Sequence, residues 1–192
     1  MGMKKIVVFA SGNGSNFEAI LQAIENKELD AMVVGLICDQ SEAYCLTRAK
    51  NHAVDVALFL RKNFVSKAEM DQAIANQCAN WQAEWLVLAG YMRMISIPIL
   101  HSYQRHIVNI HPSLLPKYRG KDAIGQAIAA NDKTMGISIH YVDDGMDTGE
   151  IIAQFPFEVH EGEDRFSIET QLHALEHNAY PKVLKQLMEE NT

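Results

Sequence analysis

The chain has 192 residues, a formal net charge of −7, 48% hydrophobic residues and 21% charged residues. A chain of this length suits one large domain, and it buries enough surface to fold without disulfides or a metal ion. The acidic balance disfavours nucleic acid as the main partner. No apolar run approaches the roughly 18 residues that a membrane-spanning helix needs, so we expect no membrane partner.

Cysteine usage and the N-terminal segment both indicate a reducing compartment. The three cysteines, Cys38, Cys45 and Cys78, form no C-x-x-C pair, and their odd number argues against a disulfide framework. The basic start followed by apolar residues 6–10 superficially resembles a signal peptide. That apolar run is too short, and the Ser-Gly-Asn-Gly turn at residues 11–14 interrupts it. We therefore expect a cytoplasmic protein.

Short apolar runs alternate with amphipathic segments along nearly the whole chain. Several runs are rich in Val and Ile, as expected for strands buried on both faces of a parallel sheet. The predicted strands are residues 5–10, 32–38, 54–59, 85–89, 107–110, 137–142 and 151–159. The predicted helices are residues 16–26, 42–51, 67–80, 123–131 and 167–188. This alternation predicts an α/β fold, a single doubly wound and mostly parallel sheet with a Rossmann-like N-terminal half, in one domain over residues 1–192.

Two local signals refine the predicted helices. Ser66 and Glu69 form a capping-box pattern, which predicts that the third helix begins at Lys67. Pro181 lies inside the last predicted helix, where a proline removes a backbone donor. We therefore expect the last helix to be kinked or divided at this residue.

The first predicted strand ends in a glycine-rich turn that leads into a helix. Gly12, Gly14, Ser15 and Asn16 would direct backbone and side-chain donors, together with the helix dipole, toward a bound anion. Phe17 replaces the third glycine of the dinucleotide fingerprint, and the turn is not a Walker A loop. A single phosphate fits better than a dinucleotide. The alternative is a simple strand-to-helix turn that binds nothing, although open α/β sheets place ligands at this position.

Asn109 and His111 form the most informative polar pair. Their period-two spacing places both on one face at the carboxyl end of a buried strand, and Pro112 and Pro116 stiffen the segment that follows. An amide donor beside an imidazole suits an oxyanion that forms when an amine attacks an acyl carbon. A histidine at a strand end also serves structural roles, so the residues alone leave both interpretations open.

Three carboxylates, Asp143, Asp144 and Asp147, occupy a glycine-bounded loop after a later strand. One interpretation is a solvated acidic turn, which Asp and Gly favour by themselves. The other places one aspartate against His111, where its negative charge would favour the protonated imidazole. The second holds only if the two strand ends open onto one cleft.

These motifs resemble the phosphoribosylglycinamide formyltransferases, within the wider group of folate-dependent formyltransferases. The resemblance covers essentially the whole chain. The Asn-x-His-Pro-Ser-Leu-Leu-Pro run at residues 109–116 is shared across the wider group, whereas residues 12–16 and 145–149 resemble the glycinamide ribonucleotide enzymes in particular. It implies a formyltransferase fold in which about residues 1–100 form the ribonucleotide-binding half. About residues 101–192 would form the catalytic and folate-binding half.

The resemblance also implies a reaction. The formyl group of 10-formyltetrahydrofolate would pass to the amine of glycinamide ribonucleotide in de novo purine (IMP) biosynthesis, by direct attack and without a metal. Asn109 and His111 would stabilise and protonate the tetrahedral oxyanion. Asp147 would keep His111 cationic and help to move the amine proton. The expected partners are therefore these two small molecules, with neither nucleic acid nor membrane, and a homodimer is compatible with them.

Further residues are implied in binding. Gly14, Ser15 and Asn16 would hold the substrate phosphate, and Glu176 is another substrate-site candidate. The residues implied at the folate site are Lys67, Met92, Arg93, Met94, Ile95, Asn109, Asp143 and Asp144. Lys67 stands where relatives often carry arginine. Arg119 and Glu150 stand where proline is frequent.

Other functions remain as alternatives. Methionyl-tRNA formyltransferase and formyltetrahydrofolate deformylase share the central motif but would require a further domain, and sugar N-formyltransferases share the chemistry. From a different class, His173, Glu176 and His177 match the H-x-x-E-H pattern of metalloproteases, though we find no clear third zinc ligand in the sequence. A non-catalytic phosphometabolite sensor would bind ligand without folate-dependent turnover.

Overall fold

The computed structural model describes residues 3–190, which form one seven-stranded sheet with helices packed on both of its faces. The strands are β1 Lys4–Ala10, β2 Ala31–Cys38, β3 Val56–Leu58, β4 Trp85–Leu88, β5 Ile107–His111, β6 Thr134–Tyr141 and β7 Ile151–Glu158. The helices are α1 Ser15–Glu25, α2 Tyr44–Asn51, α3 Lys67–Asn80, α4 Ile97–Ser102, α5 Ala123–Ala129 and α6 Arg165–Glu190.

The strand order β3-β2-β1-β4-β5-β6-β7 explains where a ligand would lie. Strands β1 to β5 run parallel to one another. Strand β6 is antiparallel to β5, and β7 is antiparallel to β6. From β1 the chain winds outward to β2 and β3, and then returns to place β4 on the other side of β1. This reversal of winding leaves a crevice at the carboxyl ends of β1 and β4, where open α/β sheets bind ligands. The predicted α/β, doubly wound and mostly parallel fold is confirmed.

The alternation of side chains along β1 creates two cores, one on each face of the sheet. Ile6 and Val8 pack with residues of α1, α2, α5 and α6. Val7 and Phe9 pack on the opposite face with residues of α3 and α4. Successive side chains of a strand point to opposite faces, so the five fully buried residues 6–10 show that β1 is covered on both sides.

Several boundaries differ from the sequence-based expectation. Strand β3 is only three residues long, and β5 extends to include His111. The short helix α4 and the 3-10 turn Arg61–Asn63 were not predicted, because both are too short to show a helical period. The start of α3 at Lys67 is confirmed, since the Ser66 hydroxyl accepts a hydrogen bond from the Glu69 N–H at 3.1 Å.

The last helix was expected to be kinked or divided at Pro181, and the division is wrong. Helix α6 runs without a break through 26 residues and contains Pro181 in its interior. Buried side chains on both sides of the proline, including Tyr180 and Leu184, pack into the core and hold the helix in place. Tertiary packing thus outweighs the single backbone donor that the proline removes. Within residues 3–190, no helix combines the length and the apolarity that crossing a membrane would require.

Candidate active site

The centre of the site is formed by two pairs of polar residues that face each other across the antiparallel β5–β6 ladder. Asn109 pairs with His140, and His111 pairs with Ser138. Except for Asn109, which is half-buried, these side chains are buried, although the strands around them are apolar. Polar groups removed from water in this way are stable only when they are hydrogen-bonded. Their partners therefore define what the site can do.

Both ring nitrogens of His111 face acceptors. Its Nε2 lies 2.9 Å from the backbone carbonyl oxygen of Tyr118, to which it can only donate. Its Nδ1 lies 3.5 Å from Oδ2 of Asp147. The structure thus places Asp147 against His111, so the acidic loop after β6 is more than a solvated turn.

Asp147 is held by the backbone as well as by charge. Its Oδ2 accepts a hydrogen bond from the Gly120 N–H at 2.8 Å, and its Oδ1 lies 3.7 Å from Nε2 of His140. The residue adopts a left-handed backbone conformation with φ of 52°. An aspartate tolerates this conformation better than most residues do. The carboxylate therefore lies between two buried imidazoles at a fixed position.

His140 orients the amide of Asn109. The Nδ1 of His140 donates to the Tyr141 carbonyl oxygen at 2.8 Å, which leaves Nε2 as an acceptor for the Asn109 Nδ2 at 3.1 Å. Burial lowers the pKa of His140, against smaller opposing effects of the Tyr141 carbonyl and Asp147, so the ring is held neutral. One N–H of the Asn109 amide is thereby fixed, and the other remains for a ligand.

The segment after β5 is anchored by hydrogen bonds from β6 and β7. The Ser138 hydroxyl donates to the Ser113 carbonyl oxygen at 2.6 Å and accepts from the Leu115 N–H at 2.9 Å. The Gln154 amide donates to the Leu115 carbonyl oxygen at 2.9 Å. These bonds fix the loop that carries the Tyr118 carbonyl to His111, so its stiffness comes from more than the two prolines.

The glycine-rich turn after β1, residues 11–16, leaves the N-terminus of α1 open, and we refer to it as the anion turn. Gly14 caps α1 in the left-handed conformation, with φ of 73° and without a side-chain hydrogen bond. The amides of the first helical turn have no acceptor within the helix, so they can serve an anion. On the rear of the turn, Arg48 donates to the carbonyl and side-chain oxygens of Asn13, both at 2.9 Å. A cation thus braces the turn beside the open amides.

Asn16 and Glu176 connect this turn to the last helix. The Asn16 Nδ2 donates to Oε2 of Glu176 at 2.9 Å, and both side chains are buried. The Asn16 Oδ1 is buried without a hydrogen-bond partner among the described residues. Burial raises the pKa of Glu176, while the Asn16 hydrogen bond and the charges of His173 and His111 oppose the shift. The predicted substrate-site residue Glu176 therefore lies between the anion turn and the His111 centre.

The segment after β4 forms the other side of the crevice. The Met92 N–H donates to the Ser11 hydroxyl at 2.9 Å, which joins this segment to the turn after β1. Met92 and Met94 expose their side chains, whereas Ile95 is buried in the core. Arg93 donates through Nε to Oδ2 of the buried Asp39 at 2.8 Å. The crevice beside the end of β4 is therefore bordered by an apolar surface and by the Arg93 guanidinium, which is held by Asp39.

Of three predicted folate-site residues, two have other partners in this structure and the third is exposed. Lys67 is paired with the buried Asp71 one turn along α3. Oδ1 of Asp143 closes its own loop by accepting from the Gly145 N–H and the Thr148 hydroxyl. Asp144 is exposed. None of these contacts connects the three residues to Asn109, His111 or Asp147.

The H-x-x-E-H pattern does not form a metal cluster. Its two histidine rings stack with centroids 6.2 Å apart, and Glu176 is bonded to Asn16. Among residues 3–190, no group of three or more His, Cys, Asp or Glu side chains is arranged to hold a metal ion.

Sequence reasoning missed several residues that complete the site. His140, Ser138 and Gln154 were given no role, and the backbone groups of Tyr118 and Gly120 were not considered. A signal for the first two was present, because Ser138 and His140 repeat on β6 the period-two polar spacing of Asn109 and His111. The backbone donors and acceptors have no signature in the sequence.

The fold is that of an α/β enzyme, and the candidate site residues lie at the carboxyl ends of β1, β4 and β5 and in the loop after β6. The formyl transferase family matches residues 4–184. A phosphoribosylglycinamide formyltransferase of Bacillus subtilis (strain 168) is 47% identical over 186 residues, which cover 97% of this chain and 95% of that protein.

Solved structures agree. The crystal structure of phosphoribosylglycinamide formyltransferase from Bacillus halodurans matches with a TM-score of 0.95 at 41% identity, covering 98% of this chain and 97% of that one. That of glycinamide ribonucleotide transformylase 1 from Geobacillus kaustophilus matches with a TM-score of 0.94 at 45% identity, covering 96% and 98%. The chain belongs to the formyl transferase family, and the resemblance drawn from its motifs is confirmed.

Proposed function

We propose that this enzyme transfers the formyl group of 10-formyltetrahydrofolate to the amine of glycinamide ribonucleotide, within purine biosynthesis in the cytoplasm. The observation that carries the proposal is the convergence of Asn109, His111 and Asp147 at one crevice that also contains the open N-terminus of α1. An acyl-transfer centre beside an anion site suits an amine substrate that carries a phosphate.

The phosphate end of the substrate would bind at the turn after β1. The amides of Gly14, Ser15 and Asn16 are free of intrahelical partners and lie at the positive end of the α1 dipole. Glu176 lies 2.9 Å from the Asn16 amide, so it would face the part of the substrate between the phosphate and the amine. A carboxylate there is suited to the hydroxyl groups of a ribose, which are donors.

The reacting end would lie between Asn109 and His111. The free N–H of the Asn109 amide would donate to the oxygen that becomes negative as the amine adds. His111 would deliver a proton from Nδ1, because its Nε2 is engaged with the Tyr118 carbonyl. Asp147, 3.5 Å from that Nδ1, would stabilise the imidazolium and accept the proton that the amine loses.

10-Formyltetrahydrofolate would supply the formyl group, and the segment after β4 fits such a molecule. The exposed side chains of Met92 and Met94 offer a polarizable apolar surface for a flat ring, and the pairing of Leu88 with Asn109 places this segment beside the catalytic amide. The remaining proposed contacts are Arg93, Ile95, Lys67, Asp143 and Asp144.

A direct assay tests the proposal. Purified enzyme is supplied with 10-formyltetrahydrofolate and one of three acceptors: glycinamide ribonucleotide, a phosphosugar amine that lacks the glycyl group, or water. We expect release of tetrahydrofolate and a formylated product only with glycinamide ribonucleotide. Equal rates with all three acceptors would overturn the assigned acceptor, and a failure of every arm with folded protein would overturn the reaction.

A further inference from the structure

Two buried thiols lie in contact directly behind the anion turn. Cys38 is the last residue of β2, and Cys45 is the second residue of α2. The Cys45 thiol donates to the Cys38 sulfur at a sulfur-to-sulfur distance of 3.7 Å, and the Cys38 thiol reaches the Gln40 carbonyl oxygen at 3.3 Å. Neither residue takes any part in the proposed formyl transfer. Their contact therefore requires a separate explanation.

Cys45 is also the structural support of the turn. Its N–H donates to the Gly12 carbonyl oxygen at 3.1 Å. A Cβ added to Gly14 would lie 2.6 Å from the Cβ of Cys45, so the glycine backbone rests against this cysteine. Because these contacts are direct, any movement of Cys45 would also displace the backbone of the anion turn.

The hydrogen bond between the two thiols also affects their protonation. The hydrogen bond from Cys45 lowers the pKa of Cys38 to about 7, although burial opposes the shift. The pKa of Cys45 is raised, because its proton is held in that hydrogen bond and because the residue is buried. The arrangement is that of one thiolate nucleophile next to one resolving thiol.

We propose that Cys38 and Cys45 are a redox modification site, and that their oxidation to a disulfide loosens the anion turn. The functional consequence, weaker binding of the ribonucleotide, rests on the function proposed above. The oxidant is a small peroxide such as hydrogen peroxide, because both sulfurs are buried and a bulky disulfide would not reach them.

The chemistry balances with one peroxide. The Cys38 thiolate attacks a peroxide oxygen, the O–O bond breaks, and a sulfenic acid forms while the released hydroxide takes up a proton to become water. The Cys45 thiol then loses its proton and attacks the sulfenic sulfur. The S–S bond forms, and the hydroxyl leaves as a second water. Two thiols are oxidised by two electrons, and one peroxide is reduced to two waters.

The geometry indicates which residue moves. A disulfide has a sulfur-to-sulfur distance of about 2.05 Å, so the two sulfurs must approach from their present 3.7 Å. Cys38 lies on β2, which is hydrogen-bonded to β1 on one side and to β3 on the other. Cys45 lies on a helix of eight residues that is not part of the sheet. We therefore take Cys45 as the residue that moves, and its movement disturbs its contacts with Gly12 and Gly14.

The test compares protein treated with hydrogen peroxide and protein kept in a phosphine reductant. Mass spectrometry after alkylation under denaturing conditions locates any disulfide, and hydrogen exchange measures the protection of the amides of residues 12–16. We expect a Cys38–Cys45 link with Cys78 still free, faster exchange at the turn, and a KM for glycinamide ribonucleotide raised by roughly tenfold. The KM for 10-formyltetrahydrofolate should change less.

Matched variants separate the possible outcomes. Cys78→Ala keeps the pair and should respond as the unmodified sequence does, whereas Cys45→Ala and Cys38→Ser should show neither the link nor the change in exchange. Peroxide-treated protein with three free thiols would overturn the site. A disulfide with unchanged exchange at the turn would overturn the coupling. Both readouts are independent of turnover, so they stand apart from a failure of the formyl-transfer assay.

Discussion

The two carboxylate oxygens of Asp147 face three partners. A substitution can therefore remove the negative charge and still keep the hydrogen bond that positions the residue. Oδ2 accepts from the Gly120 N–H and lies near Nδ1 of His111, while Oδ1 lies near Nε2 of His140. In the Asp147→Asn variant, the amide oxygen can keep the bond to Gly120, so the loop retains its support and only the negative charge is lost. We expect kcat to fall by about 10²- to 10⁴-fold with a similar unfolding temperature.

The control for this prediction is Asp143→Asn in the same loop. Asp143 lies outside the His111 contact and accepts from Gly145 and Thr148, so Asp143→Asn should lower kcat far less than Asp147→Asn does. Any loss of its proposed folate contact should appear in the KM for 10-formyltetrahydrofolate. Turnover by Asp147→Asn at the rate of the unmodified enzyme would remove Asp147 from the proposed mechanism.

His140 should make the fold sensitive to acid. Burial lowers its pKa in the folded protein below the ordinary value of 6.5. As the pH falls through about 6.5, His140 becomes protonated in the unfolded chain but stays neutral in the folded protein. The free energy of unfolding therefore decreases on acidification. In His140→Gln this dependence should be shallower by at most about 1.4 kcal/mol per pH unit, the limit for one proton.

Urea unfolding between pH 5 and pH 7.5 checks this prediction. The variant and the unmodified protein are measured side by side, so that the contributions of the other histidines to the pH dependence cancel. If the free energy of unfolding has the same pH dependence in both proteins, His140 binds its proton in the folded state as readily as in the unfolded state. Its Nε2 would then not be the neutral acceptor that we assign to the Asn109 amide.

The sequence could supply the side chains of the site but not the bonds that arrange them. Asn109, His111 and Asp147 stand out because polar residues at the ends of buried strands, or in a glycine-bounded loop, need a reason to be there. The carbonyl of Tyr118 and the N–H of Gly120 carry no such mark, because every residue has these groups. Their placement depends on how the loop after β5 folds back, which is set by Ser138 and Gln154.

At the scale of elements, α1 and α2 are joined by a charged cluster with an opposite pH dependence. Both ring nitrogens of His52 lie near carboxylates, with Nδ1 at 2.7 Å from Glu25 and Nε2 at 3.0 Å from Glu18. Burial opposes the charge on His52, but the hydrogen bonds to Glu18 and Glu25 outweigh it and raise its pKa. The cluster therefore contributes stability below about 6.5 that is lost as the pH rises through the raised pKa.

We expect His52→Gln to lower the free energy of unfolding by about 0.5 kcal/mol at pH 5.5 and by less at pH 8.5, a size typical of partly exposed ion pairs. Chemical denaturation at the two pH values measures the difference, and 1 M salt should reduce it. A larger loss at pH 8.5 than at pH 5.5 would contradict the assigned charge state. His101→Gln, at an exposed position on α4, serves as the control.

Elements with a strong pattern were predictable, and those held by tertiary contacts were not. β1 and α3 were placed within one residue of their observed ends, because β1 is a continuous apolar run and α3 has a capped start. α4 has only six residues and β3 only three, which is less than a readable period. Pro181 misled the prediction for α6, since the packing that keeps this helix continuous lies on other elements.

At the scale of the whole molecule, α6 connects the two proposed halves. It packs against α1, which directly follows the glycine-rich turn, and against α5, β6 and β7 in the second half. The same helix carries Glu176 to Asn16 and Tyr180 to the sheet. The proposed ribonucleotide-binding and catalytic halves are therefore kept in register by one long element, and a defect in its docking should affect stability and catalysis together.

Tyr180 provides the sharpest test of this docking. Its side chain is fully buried, and its hydroxyl lies 2.9 Å from the carbonyl oxygen of Leu88, the last residue of β4, and 3.1 Å from that of Val108, the second residue of β5. Tyr180→Phe removes only the hydroxyl and leaves the ring packing intact. We expect a loss of about 1–2 kcal/mol in the free energy of unfolding. We also expect a smaller kcat, because the strand ends that carry Asn109 and the segment after β4 lose a common anchor.

Urea unfolding and steady-state kinetics on the same preparation measure both effects, with Tyr44→Phe at an exposed position as the matched control. The control should change neither quantity, because its hydroxyl faces solvent while its ring, which lies under Arg48, is retained. A stability loss without any change in kcat would mean that α6 supports the sheet but does not set the spacing of the strand ends. The catalytic geometry would then depend on the β5–β6 ladder alone.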